Sequence, residues 1–182
     1  MAADVRPGVI SNPEEYYSAL SMVPGIVMAL AMGRSKKYAP VKAAVYAYII
    51  TCSASITYHL HNYYYGFDPR FLRLDFFGQN IGMWTGMAVS PFGIPGAIAL
   101  APFSCLSLVL TNLKSAKEAF LAELTTAAGI LVSVAYKPSL LYTWCVTFLV
   151  YMVRKFRKNP YSHSAFHMLL HVGMYQYYRG LV

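Results

Sequence analysis

The chain has 182 residues, of which 57% are apolar and only 12% charged, and its net charge is +8. Soluble domains carry roughly 25% charged residues, so too few charges remain to coat a water-facing surface, and the bilayer is the expected solvent for most side chains. The positive charge lies between the apolar runs, where it serves headgroup contact and topology rather than nucleic acid; no RNA- or DNA-binding pattern is present.

Residues 1–14 form a polar N-terminal tail with no cleavable signal peptide, and Asp4, Glu14 and Glu15 lie in it or at its edge. Residues 15–182 are expected to form a single transmembrane domain. Within it, seven apolar stretches run at about 15–33, 40–60, 74–91, 94–111, 116–135, 139–154 and 161–179. A bilayer core about 30 Å thick needs roughly 20 apolar residues of helix. Helix is favoured over strand because unpaired backbone groups are costly in lipid, and because barrel strands would alternate over about ten residues. The expected fold is therefore all-α, a polytopic membrane helical bundle.

Pro and Gly punctuate the joins. Gly33-Arg34-Ser35-Lys36-Lys37 ends the first stretch, and Gly66-Phe67-Asp68-Pro69 occupies the second loop. Pro91-Phe92-Gly93-Ile94-Pro95-Gly96 makes a tight third turn. Lys137-Pro138 precedes the sixth stretch, and a basic run ending at Asn159-Pro160 precedes the last. With seven spans, the N-terminal side holds nine basic residues and the other side six. That count slightly favours a cytosolic or matrix N-terminus, while the strongly basic first loop argues the reverse.

Cys52, Cys105 and Cys145 fall in different stretches, with neither zinc-knuckle nor disulfide-framework spacing. They read as small packing residues.

Ionisable groups inside membrane spans are expensive, so each is a candidate functional residue. All five histidines lie on two stretches: His59 and His61 end the second, and His163, His167 and His171 are on the last. Asp75 opens the third. Ser55 and His59 are four residues apart and share a helix face, as do the three histidines of the last stretch. A histidine pair at i and i+4 is a usual way for a helix to offer two nitrogens to one metal. In a seven-span layout, His59, Asp75, His163 and His167 all reach one membrane face. Three imidazoles suit zinc and leave a fourth position for water, which a metal can activate near neutral pH. A carboxylate could take the proton of that water, and a serine hydroxyl could bind an oxyanion.

Simpler roles stand beside these. Histidines and the sixteen tyrosines also suit the membrane interface. His61 and His171 read as interfacial or packing residues. Asp75 could instead pair with Arg70 or Arg73, or cap the helix beginning there. Glu118 and Glu123 read as N-terminal helix charges.

At these positions the sequence resembles the CREST membrane proteins, which include alkaline ceramidases, adiponectin and progestin receptors, GPI-remodelling lipases and the myomaker-like group. Their pattern is a serine four residues before a histidine on span two, an aspartate near span three, and H-x-x-x-H on span seven. It is matched by Ser55-Ile56-Thr57-Tyr58-His59, Leu74-Asp75-Phe76-Phe77 and His163-Ser164-Ala165-Phe166-His167. The myomaker-like branch is the most similar, through Tyr58 and the run Tyr161 to His167. It usually follows its span-two histidine with x-Cys-Asp, where this chain has Leu60-His61-Asn62. The resemblance implies zinc on His59, His163 and His167, with Asp75 and Ser55 catalytic, and hydrolysis of lipid amides or esters. It also implies that the fold can serve membrane remodelling without an assigned reaction.

Two functions follow as expectations: a zinc-dependent lipid hydrolase of CREST type acting on membrane lipids, or a non-catalytic accessory subunit held by other subunits of a membrane assembly. A tail ordered despite its polarity would favour the second. A transporter or channel would need a row of ionisable groups that the stretches lack.

Overall fold

The computed structural model describes residues 12–110, 130, 131, 133–156 and 161–181, and every secondary-structure element among them is helical. Six α-helices follow one another: α1 (Pro13–Ser35), α2 (Ala39–Tyr65), α3 (Pro69–Ala88), α4 (Gly93–Leu110), α5 (Leu141–Phe156) and α6 (Ser162–Gly180). Residues 130, 131 and 133–136 are helical too, and a 3-10 turn, Pro138–Leu140, leads into α5. Most of the tail, most of the stretch at 116–135, and Glu118 and Glu123 lie outside the described residues.

Local chemistry sets the helix starts. Asn12 caps α1 by accepting the Glu14 N–H, with Pro13 in the first turn. Glu14, expected at the end of the tail, therefore sits in the first turn of α1. Asp68 caps α3 by accepting the Arg70 N–H, again followed by a proline. So α3 starts at Pro69 instead of near residue 74, and Asp75 lies inside it rather than capping it. Arg70 pairs with Asp68 at 2.7 Å. The stretch from Pro69 to Arg73 is polar and escapes a search for apolar runs, yet its cap and proline make it helical.

Short joins fold α1, α2 and α3 into consecutive antiparallel pairs. α6 packs on α1 and α5, and α4 packs on α3. The core lies between α1, α2 and α6, around Met22, Ala29, Val45, Tyr48, Cys52 and Tyr178. Small residues let these helices approach closely: a Cβ built on Gly25 would fall 2.5 Å from Cε1 of His171 and 2.7 Å from Sγ of Cys52. Among the described residues, two helices, α1 and α2, are long and apolar enough to cross a membrane.

This topology gathers four helix ends. The start of α1, the end of α2, and the starts of α3 and α6 share one end of the bundle, as the Glu15–His59 and His59–His163 contacts show for α1, α2 and α6. The opposite end is tied by Lys36, which donates to the Leu181 carbonyl, and by Lys137, which donates to the Gln176 carbonyl.

Candidate metal centre

His59 projects from the last turns of α2, and His163 and His167 lie on successive turns of α6. Each ring offers one ligand nitrogen, and the three nitrogens lie within 4.8 Å of one another. The ring centroids are 4.8 Å apart for His59 and His163, 5.2 Å for His59 and His167, and 4.4 Å for His163 and His167. His59 is 1% exposed and His167 5%, so water solvates neither ring. The convergence expected from the helical spacing is thus present, close enough to hold a metal ion.

The partners of these rings fix which nitrogen faces the cluster. His59 Nδ1 lies 2.5 Å from Glu15 Oε2. An ionised carboxylate only accepts, so Nδ1–H donates and Nε2 keeps its lone pair. At His167, Nδ1 lies 2.9 Å from the Ser21 hydroxyl and 3.2 Å from the Ser18 carbonyl. Ser21 gives its own proton to that carbonyl at 2.7 Å. Its oxygen is then an acceptor and Nδ1–H of His167 donates, so the lone pair of that ring sits on Nε2. Hydrogen bonds on the far nitrogen are the usual means of orienting a ligating histidine. Glu14 stands 3.9 Å from Nδ1 of His163.

His171, the third member of the α6 stripe, is arranged otherwise. Its Nε2–H donates to the Ser21 carbonyl and its Nδ1 accepts from Tyr48, both at 2.8 Å. No lone pair remains, so of the interfacial and packing roles expected for it His171 takes the second. His61 stacks on Phe71, with centroids 3.8 Å apart, and stands apart from the cluster as well.

Asp75 is 6% exposed on α3. Its Oδ2 accepts from Gln79 at 3.2 Å, and its carboxylate interacts with both His59 and Ser55. Oδ1 has no hydrogen-bond partner of standard geometry among the described residues. Ser55, 3% exposed, lies one helical turn before His59. All five candidate residues therefore occupy one end of the bundle.

Tyrosines rim this end. Tyr16 meets Tyr63 at 5.3 Å, Tyr17 meets Tyr161 at 5.1 Å, and Tyr16 meets Tyr17 at 5.9 Å. Amphipathic rings of this kind suit the headgroup level of a bilayer.

Sequence reasoning missed Glu15, Ser18 and Ser21, all on α1. A signal existed for the glutamate: Asn12-Pro13-Glu14-Glu15 is a helix-start pattern that places Glu15 on the first turn. Nothing local announced the two serines, because their contacts with α6 span about 150 residues of chain.

No family model, no curated protein and no solved structure matches the chain.

Proposed function

We propose that the chain is a polytopic integral membrane protein of CREST type that holds zinc on His59, His163 and His167 and hydrolyses lipid amides or esters. The observation that carries the reading is the convergence of the three ligand nitrogens within 4.8 Å.

Several features support a metal there. The donor set is three imidazoles, the composition of catalytic zinc sites. The partners of His59 and His167 hold the proton on Nδ1, so the lone pair of each ring sits on Nε2. Holding two buried imidazoles and the partly buried His163 beside the Asp75 and Glu15 carboxylates also carries a desolvation cost that a cation would offset. Zinc bound here would supply a Lewis acid and, through it, a nucleophile near neutral pH.

The protein's own groups supply the rest. The bare Oδ1 of Asp75 takes the proton of the attacking water as the new bond to the lipid carbonyl carbon forms. It then returns that proton to the leaving amine or alcohol, so the chain ends unchanged. The Ser55 hydroxyl donates to the carbonyl oxygen as negative charge builds on it.

Membrane placement is supported by composition and by surface. At 1.5 Å per residue, α1 and α2 are each longer than the roughly 30 Å hydrocarbon core. Val27, Ile98, Leu131, Phe148 and Leu149 are each at least 60% exposed, which in water would be a large unpartnered apolar surface. Seven spans then put the cluster at a membrane face, ringed by tyrosines, where a lipid headgroup meets its acyl chains.

Protein extracted in detergent should contain one equivalent of zinc by elemental analysis and release fatty acid from lipid amides or esters. His163→Ala should abolish both. Absence of stoichiometric metal from protein purified without chelators would sink the reading.

A further inference from the structure

The first turn of α1 has a local alternative that it declines. With Asn12 as N-cap and Pro13 as the first helical residue, Glu15 occupies the third position. A glutamate there commonly folds back to the N–H of the capping residue. The Glu15 Oε2 instead reaches 44 residues along the chain to Nδ1 of His59, at 2.5 Å. The carboxylate is 18% exposed and the ring 1%, so this bond lies at the edge of the protein interior, with little water to weaken it.

We infer that Glu15 is a positioning residue of the metal site: by accepting the Nδ1–H of His59 it commits Nε2 of that ring to the metal. The inference rests on the zinc reading above and extends it to a side chain outside the ligand set.

Three observations separate this role from a plain buried ion pair. First, Glu15 is not among the groups whose donor atoms converge; among the described residues the cluster consists of the three histidines. Its carboxylate therefore stands behind His59 and does not compete for the metal. Second, α1 treats His167 in the same way, through the Ser18 carbonyl and the Ser21 hydroxyl on its Nδ1. One helix thus sets the tautomer of ligands on two other helices. Third, the two anchors differ in charge. His167 leans on neutral oxygens, while His59 leans on a carboxylate, which makes its Nε2 the more basic donor.

α1 contributes no metal ligand, yet the site depends on it. Shifting its first turn away from α2 would free His59 to rotate and to exchange tautomers. Metal affinity is then linked to how well that turn is held.

The test uses the full chain in detergent or nanodiscs, with zinc affinity read by competition against a chromophoric chelator. Glu15→Ala should bind zinc roughly 10–100-fold more weakly than the parent protein, the usual effect of removing such a partner. Glu15→Gln is isosteric and can still accept the Nδ1–H, so it should recover part of that loss. Cobalt-loaded Glu15→Ala should show displaced ligand-field bands, which a purely structural role would not produce. Nitrogen NMR of the metal-free parent should find the His59 proton on Nδ1. Glu15→Ala binding within twofold of the parent, or an Nε2–H tautomer at His59, would overturn the inference. A parent protein that binds neither zinc nor cobalt would instead remove the metal reading beneath it.

Discussion

Tyr48 on α2 donates its hydroxyl to Nδ1 of His171 on α6 at 2.8 Å, and that single bond divides the histidine stripe of α6 into two roles. His163 and His167 turn toward His59. His171, one turn further on, has both nitrogens consumed by Tyr48 and by the Ser21 carbonyl.

His171→Phe is therefore expected to destabilise the bundle without affecting metal. The ring is replaced by one of similar volume, but the Tyr48 hydroxyl and the Ser21 carbonyl lose their partner. A buried group left unsatisfied costs roughly 1–3 kcal/mol. Thermal unfolding in detergent should show the loss, while zinc content stays at one equivalent. Zinc lost in proportion to His171 substitution would place this residue in the site instead.

The ligands should behave in the opposite way. His59→Ala, His163→Ala and His167→Ala should each abolish stoichiometric zinc, because two remaining imidazoles make a poor site. On the metal-free protein, His59→Ala and His167→Ala should also cost stability, because Glu15 and the Ser21 hydroxyl lose the N–H that they accept. Comparing melting curves with and without chelator separates the two contributions: chelation should lower the parent's midpoint and leave the variants unmoved. A parent midpoint indifferent to chelator would contradict the metal site.

Much of this arrangement was legible before any coordinates. The four-residue spacing of His163 and His167 placed them on one face, and the alternation of helix direction carried His59 to the same end. Helix starts at Pro13 and Pro69 were written in Asn12 and Asp68, although apolar stretches alone put the third start near residue 74, because a helix can begin with charged turns that no hydropathy pattern marks. The supporting bonds were not legible. Glu15, Ser18 and Ser21 act on rings 44 to about 150 residues away, and such contacts follow from how helices pack, not from any local pattern.

Asp68 gives a pH signature in the join between α2 and α3. Its carboxylate caps α3 and pairs with Arg70, whose hydrogen bonds pull its pKa down to about 2. A depressed folded-state value adds stability above the unfolded pKa of about 3.9, and that stability fades as pH falls through the folded value. The parent should lose stability relative to Asp68→Asn between about pH 4 and pH 2. Because the Arg70 partner is 82% exposed, raising the salt concentration should shrink the difference. Parallel melting profiles of the two proteins across that interval would rule the effect out.

Gly78 tests how tightly α3 must sit against α2. A Cβ built there would lie 2.7 Å from Cβ of Ala54 and 3.3 Å from both the Ile50 carbonyl oxygen and Cα of Thr51. Those neighbours are backbone or backbone-bound, so no flexible side chain can swing aside, and the helices must separate. Such overpacking costs typically 1–3 kcal/mol. The displacement has a second consequence, since Asp75 lies three residues from Gly78 on α3 and Ser55 lies next to Ala54 on α2. Gly78→Ala should thus move the Asp75 carboxylate away from Ser55 and His59 while leaving the three histidines, carried by α2 and α6, in place. The expected result is a lower melting point and reduced hydrolysis with zinc content preserved. Normal hydrolysis in a destabilised Gly78→Ala protein would show that the proposed reaction does not need Asp75 beside His59 and Ser55.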